Sequence, residues 1–132
     1  MVPPPDAPAP KILIVDDQLS NVRLLDQTLR RAGFTDVTAV TEPRNVAALH
    51  LEHRYDLILL DLQMPGLNGF EVLAQLQTVK AANPVAVLVL SADASQTKAV
   101  LAAGADSFLG KPFKLPEVVE RVQKMLREHP PS

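Results

Sequence analysis

The run ILIVDD, Ile12 to Asp17, decides how this chain folds. Its first four residues are aliphatic without a polar break, which suits a strand covered on both faces rather than one side of an amphipathic sheet. Two acids follow at once. The same pattern returns at Leu57 to Leu60, closed by Asp61, and at Val85 to Leu90, closed by Ser91. Asp36 to Val40 and Ser107 to Leu109 are weaker strand candidates, the last followed closely by Lys111 and Pro112.

Helical patterns fill the gaps. Val22, Leu25, Leu29 and Ala32 recur at helical spacing and run into Gly33, a residue suited to a helix C-terminus. Asn68 with Glu71 has the form of a capping box ahead of Phe70, Leu73 and Leu76. Val118, Val122, Met125 and Leu126 stripe a last helix that begins near Pro116. Further helices are expected over Pro43 to Arg54 and over Ser95 to Ala103, the second ended by Gly104. Strand and helix thus alternate five times. Parallel strands need crossovers, and crossovers are right-handed, so the expected fold is α/β: one doubly wound, five-stranded parallel sheet with helices on both faces.

The composition agrees with that reading. With 132 residues, 47% hydrophobic and 21% charged, the chain suits one domain able to bury a core without staples. It has no cysteine, which excludes disulfides, thiolate metal sites and cysteine nucleophiles and fits a reducing compartment such as the cytoplasm. Thirteen Lys and Arg against 15 Asp and Glu leave a formal charge of -2. Such a balance supplies no basic field for a nucleic-acid backbone, so direct DNA binding is not expected. No apolar run approaches the roughly 18 residues of a membrane span. Met1 to Pro10, MVPPPDAPAP, reads as a disordered proline-rich tail before a domain over 11–129, and 130–132 as a short C-terminal tail.

Ligands of doubly wound sheets sit beyond the carboxyl ends of the strands. Taken singly, Asp16 and Asp17 would read as helix caps, Asp61 and Ser91 as turn residues and Lys111 as a solvated loop cation. Adjacent first and third strands, however, would crowd Asp16, Asp17 and Asp61 together, an arrangement that calls for neutralisation by a cation or protons. A hard divalent ion, Mg²⁺ before Ca²⁺ or Mn²⁺, matches oxygen donors of this kind. Carboxylates, a hydroxyl at Ser91 and a cation at Lys111 together form the set that phosphoryl transfer requires.

From about Lys11 to Glu128 the chain resembles the receiver domain of two-component response regulators. The resemblance rests on ILIVDD at Ile12 to Asp17, LILLDLQMPGLNGFEVL at Leu57 to Leu73, VLSA at Val89 to Ala92 and GADSFLGKPF at Gly104 to Phe113. It implies a flavodoxin-like strand order 2-1-3-4-5, with Asp61 as phosphoacceptor. It further implies Mg²⁺ held by Asp16, Asp17, Asp61 and the backbone carbonyl of Gln63. Ser91 would hydrogen-bond the acyl phosphate, Lys111 would contact its oxygens, and a cis peptide bond would join Lys111 to Pro112. Ser91 and Phe108 occupy the switch positions, with phenylalanine lacking the hydroxyl of the tyrosine common there. Gln63 and Asp93 flank the site and would tune the phosphoryl lifetime.

The implied partners are a sensor histidine kinase or phosphotransfer protein, and an effector domain or second copy meeting the face of the fourth helix, fifth strand and fifth helix. No effector domain follows His129, so the chain reads as a stand-alone receiver or as part of a longer protein. No organic cofactor is implied. His50 and His53, on the second helical pattern, are read as surface residues.

Three other readings compete. A receiver that works only through protein contacts would not need the complete set of Asp16, Asp17, Asp61, Ser91 and Lys111. A Mg²⁺-dependent phosphohydrolase of the haloacid-dehalogenase type would carry a second acid where this chain has Gln63. A nucleotide- or flavin-binding module would carry a GxxxxGK[ST] or GxGxxG loop, and neither occurs.

Overall fold

The computed structural model describes residues 9–62 and 69–128. Strands β1 (Lys11–Val15), β2 (Asp36–Val40), β3 (Leu57–Asp61), β4 (Ala86–Ser91) and β5 (Ser107–Gly110) alternate with helices α1 (Leu19–Arg31), α2 (Val46–His53), α3 (Gly69–Lys80), α4 (Thr97–Ala102) and α5 (Leu115–Glu128). All strand pairs are parallel, in the order β2-β1-β3-β4-β5. The expected doubly wound sheet is therefore the observed one.

Side chains of successive strand residues point to opposite faces, and continuous aliphatic strands consequently supply two cores. Ile12, Ile14, Leu57, Leu59, Leu88 and Leu90 pack under α1 and α5 with Leu25, Leu29, Val118 and Val122. Leu13, Val15, Ile58, Leu60, Val87 and Val89 pack under α2, α3 and α4 with Val46, Leu73, Leu76 and Val100. Gly33, at φ 104°, turns the chain out of α1 so that the Phe34 N–H reaches the Leu29 carbonyl at 3.1 Å.

Several boundaries differ from the sequence reading. The second and fourth helical stretches open as 3-10 turns, Pro43–Asn45 and Ala94–Gln96, and α5 begins at Leu115, one residue before Pro116. The proposed capping box depends on Asn68, which lies outside the described residues, as do most of the N-terminal leader, Gln63 and the C-terminal tail.

His50 corrects one expectation. Far from being a surface residue it is 0% exposed, and it shares the inward face of α2 with Val46. Nδ1 accepts the Tyr55 backbone N–H at 3.1 Å, which leaves Nε2 to donate to the Asn83 carbonyl at 2.6 Å. Both ring nitrogens are satisfied by backbone, and burial then carries no unpaired polar group. His53 is exposed, as expected.

Candidate functional site

Four of the five strands, all but β2, deliver a part of the site at their carboxyl ends. Asp16 and Asp17 follow β1, Asp61 is the last residue of β3, Ser91 the last of β4, and Lys111 follows β5. Parallel register aligns these ends, pairing Val15 with Leu60, Asp61 with Leu90 and Ser91 with Gly110. The Lys111 N–H extends that ladder to the Ser91 carbonyl at 2.8 Å. The Lys111–Pro112 peptide bond is cis.

One carboxylate oxygen from each of Asp16, Asp17 and Asp61 lies within 4.8 Å of the other two. Asp16 is 2% and Asp61 5% exposed, whereas Asp17 is half-buried. The Lys111 ammonium stands 3.3 Å from Asp61 Oδ1 and neutralises part of this charge. Ser91 is fully buried, its Oγ accepting the Asp93 N–H at 3.1 Å, and the Asp93 side chain in turn accepts the Ser95 N–H at 3.0 Å. Phe108, on β5, is half-buried against the core under α4, and Arg121 of α5 donates to the Phe108 carbonyl at 3.0 Å and to Ser107 Oγ at 2.6 Å.

Burial pushes the Asp16 carboxyl above its ordinary value of 3.8. The hydrogen bond from the Gln18 N–H opposes that rise, the Asp61 charge adds to it, and Lys111 and Asn21 oppose it again. A carboxyl whose folded value is raised favours the fold below 3.8 and loses that contribution as pH rises through the folded value. At neutral pH the ionised Asp16 carboxylate is therefore a cost to folding that a bound cation would relieve. The donors are all hard oxygens, with no sulfur or imidazole among them, and this fits Mg²⁺ rather than a softer metal.

The start of α3 is tied to the end of β3. Gly69 donates its N–H to the Leu62 carbonyl at 2.8 Å, and a Cβ on Gly69 would fall 2.7 Å from Leu62 Cα. Backbone cannot yield as a flexible side chain can, so Gly69→Ala is expected to cost about 1–3 kcal/mol of stability, as overpacking of a filled site does. Urea unfolding of the two proteins measures this, and an unchanged midpoint would show that α3 can shift freely away from Leu62.

Residues 12–123 match the family described as response regulator receiver domain. This chain belongs to that family. It is the receiver domain of a two-component response regulator, and the fold of its neighbours agrees. The Vibrio cholerae chemotaxis protein CheY4 superposes with a TM-score of 0.81 at 27% identity, over 90% of this chain and 100% of that one. The receiver domain of Francisella response regulator 1452 gives 0.80 at 28% identity, over 90% and 98%. Among curated relatives, the transcriptional regulatory protein PrrA of Mycobacterium tuberculosis is 39% identical over 119 residues, covering 90% of this chain and 51% of PrrA. ResD of Bacillus subtilis is 41% identical over 120 residues, covering 89% and 48%. The receiver domain thus spans about half the length of the curated relatives it matches.

The structure brings Asp16, Asp17, Asp61 and Lys111 into one cluster, with Ser91 at the adjoining strand end and Phe108 on β5. The sequence reading missed Asn21, whose side-chain amide reaches Asp16 at 3.3 Å. Its one signal is position, at the start of the helix that follows the paired acids.

Proposed function

We propose that Asp61 is the phosphoacceptor of this receiver, taking its phosphoryl group from a phosphohistidine of a sensor kinase or phosphotransfer protein. The observation that carries this reading is a buried carboxylate with an ammonium at 3.3 Å and two further carboxylates within 4.8 Å. An Asp61 oxygen forms the new P–O bond, the donor's P–N bond breaks, and its electron pair returns to the departing imidazole nitrogen. Asp16, Asp17 and Asp61, with the Gln63 carbonyl, would hold Mg²⁺, which when bound neutralises charge on the phosphoryl oxygens. Lys111 supplies a second positive contact and Ser91 a hydrogen bond. Slow hydrolysis of the acyl phosphate returns the carboxylate, so the domain resets without a separate catalytic residue.

Beside Asp16 a cavity of about 220 Å³ opens between α1 and the β5–α5 turn, with Leu24, Pro112 and Phe113 on its apolar wall. Lys111, which stands 3.3 Å from Asp61, also lines it. The phosphoryl group then draws Ser91 and Lys111 toward it and biases an existing equilibrium of the face formed by α4, β5 and α5. Arg121 links two of these elements through the Phe108 carbonyl. That face is where an effector domain or second copy would dock, in a cytoplasmic receiver unit spanning 11–129. None of the described helices is long and apolar enough to cross a membrane.

The test is incubation with acetyl phosphate in the presence of Mg²⁺ or of a chelator, followed by intact-mass measurement. One phosphoryl group per chain is expected with Mg²⁺ and none with chelator, together with a rise in thermal midpoint on adding millimolar Mg²⁺. Asp17→Asn should diminish that rise. Absence of both phosphoryl gain and thermal shift would overturn the assignment.

A further inference from the structure

Three crowded acids raise a mechanical question, because mutual repulsion favours any rotation that moves them apart. Asp16 is held against such rotation at both oxygens. Oδ1 accepts the Gln18 N–H at 2.9 Å, and Oδ2 accepts from Asn21 Nδ2 at 3.3 Å. The first restraint is backbone and would survive any residue at position 18 other than proline. The second belongs to one side chain.

Asn21 is half-buried in the first turn of α1 and forms part of the cavity beside Asp16. Its Nδ2 also donates to Gln18 Oε1 at 3.2 Å, so both amide hydrogens have acceptors. That assignment follows from chemistry, since the flipped amide would set a carbonyl oxygen against the Asp16 carboxylate. We propose that Asn21 is a positioning residue for the metal cup, its neutral amide holding the Asp16 carboxylate toward Asp17 and Asp61. The inference rests on the assignment of Mg²⁺ to those three acids. Neutrality matters as much as reach: a lysine or arginine here would also hold Asp16, but it would cancel charge that the cation needs. An apolar residue would leave Oδ2 free to turn away.

Groups that orient metal ligands in this manner contribute about 10- to 100-fold to metal affinity. Calorimetric titration of the metal-free protein with Mg²⁺ tests the proposal on wild type, Asn21→Ala, Asn21→Gln and Asn21→Lys. Asn21→Ala is expected to weaken Mg²⁺ binding by about 10-fold. Its metal-free thermal midpoint should stay close to wild type, since alanine favours helix. Asn21→Gln retains the amide donor and should recover most of the affinity, whereas Asn21→Lys should lose at least as much as alanine. Equal Mg²⁺ affinity in wild type and Asn21→Ala would overturn the role of Asn21, as would a glutamine variant no better than alanine. A wild-type protein that takes up no Mg²⁺ would instead defeat the metal assignment itself.

Discussion

Asp61→Asn is expected to abolish phosphorylation while the domain stays folded. Asparagine has nearly the volume of aspartate, so the buried site at the end of β3 keeps its packing. What disappears is the anionic oxygen proposed to attack phosphorus and one of the three charges of the candidate metal cup. Acetyl phosphate with Mg²⁺ should then add no phosphoryl mass to the variant. A second readout reports on the cluster. The Asp61 charge is one cause of the raised Asp16 value, after burial, and its removal should lower the Asp16 value. Carboxyl chemical shifts followed across an acid titration measure that movement. Phosphate incorporation equal to wild type would place the acceptor at another residue.

Lys111→Ala is expected to uncouple phosphorylation from its consequence. In the unphosphorylated domain Lys111 stands 3.3 Å from Asp61, the two side chains 27% and 6% exposed, so its removal should also lower metal-free stability by leaving the buried acids without that cation. Once a phosphoryl group is present the same ammonium gains a charge-assisted bond of about 1.5–3 kcal/mol, enough to shift a two-state equilibrium about 10- to 100-fold. The variant should accept some phosphate at Asp61 yet leave the α4, β5 and α5 face largely in its resting state. Phe108→Ala should share that defect. Its stability cost should fall below the about 3–5 kcal/mol of a sealed aromatic, because Phe108 is only half-buried. Amide spectra of each protein with and without beryllofluoride decide the matter, read over Thr97–Ala102 and from Phe108 to Arg121. Full wild-type shifts in both variants would mean that coupling runs through other residues.

Much of this protein is legible in its sequence because the governing signals are local. Uninterrupted aliphatic runs such as Ile12 to Val15 and Leu57 to Leu60 suit strands buried on both faces of a parallel sheet, and the helical stripes between them provide the covers. Parallel connection then forces every strand to end on the same side. Acids, hydroxyl and lysine placed just past those ends meet without any knowledge of side-chain geometry. The candidate site follows from that placement, and the family resemblance rests on the motifs around it.

Contacts between side chains from separate elements are another matter. Nothing in VVERV shows that Arg121 donates to the carbonyl of Phe108, and the histidine in AALHLEH reads as solvated until a carbonyl at Asn83, 33 residues on, is found within 2.6 Å. A polar side chain is buried when a partner waits for it, and partners are set by packing, not by neighbours in the chain. The grip of Asn21 on Asp16 and the contact of Gly69 with Leu62 belong to the same class. Periodicity and chain direction are enough to derive the sheet, its covering helices and the strand ends where the candidate site lies. How the acids are held and which polar groups lie buried emerge from the folded molecule alone, because those depend on atoms brought within hydrogen-bond distance by the fold.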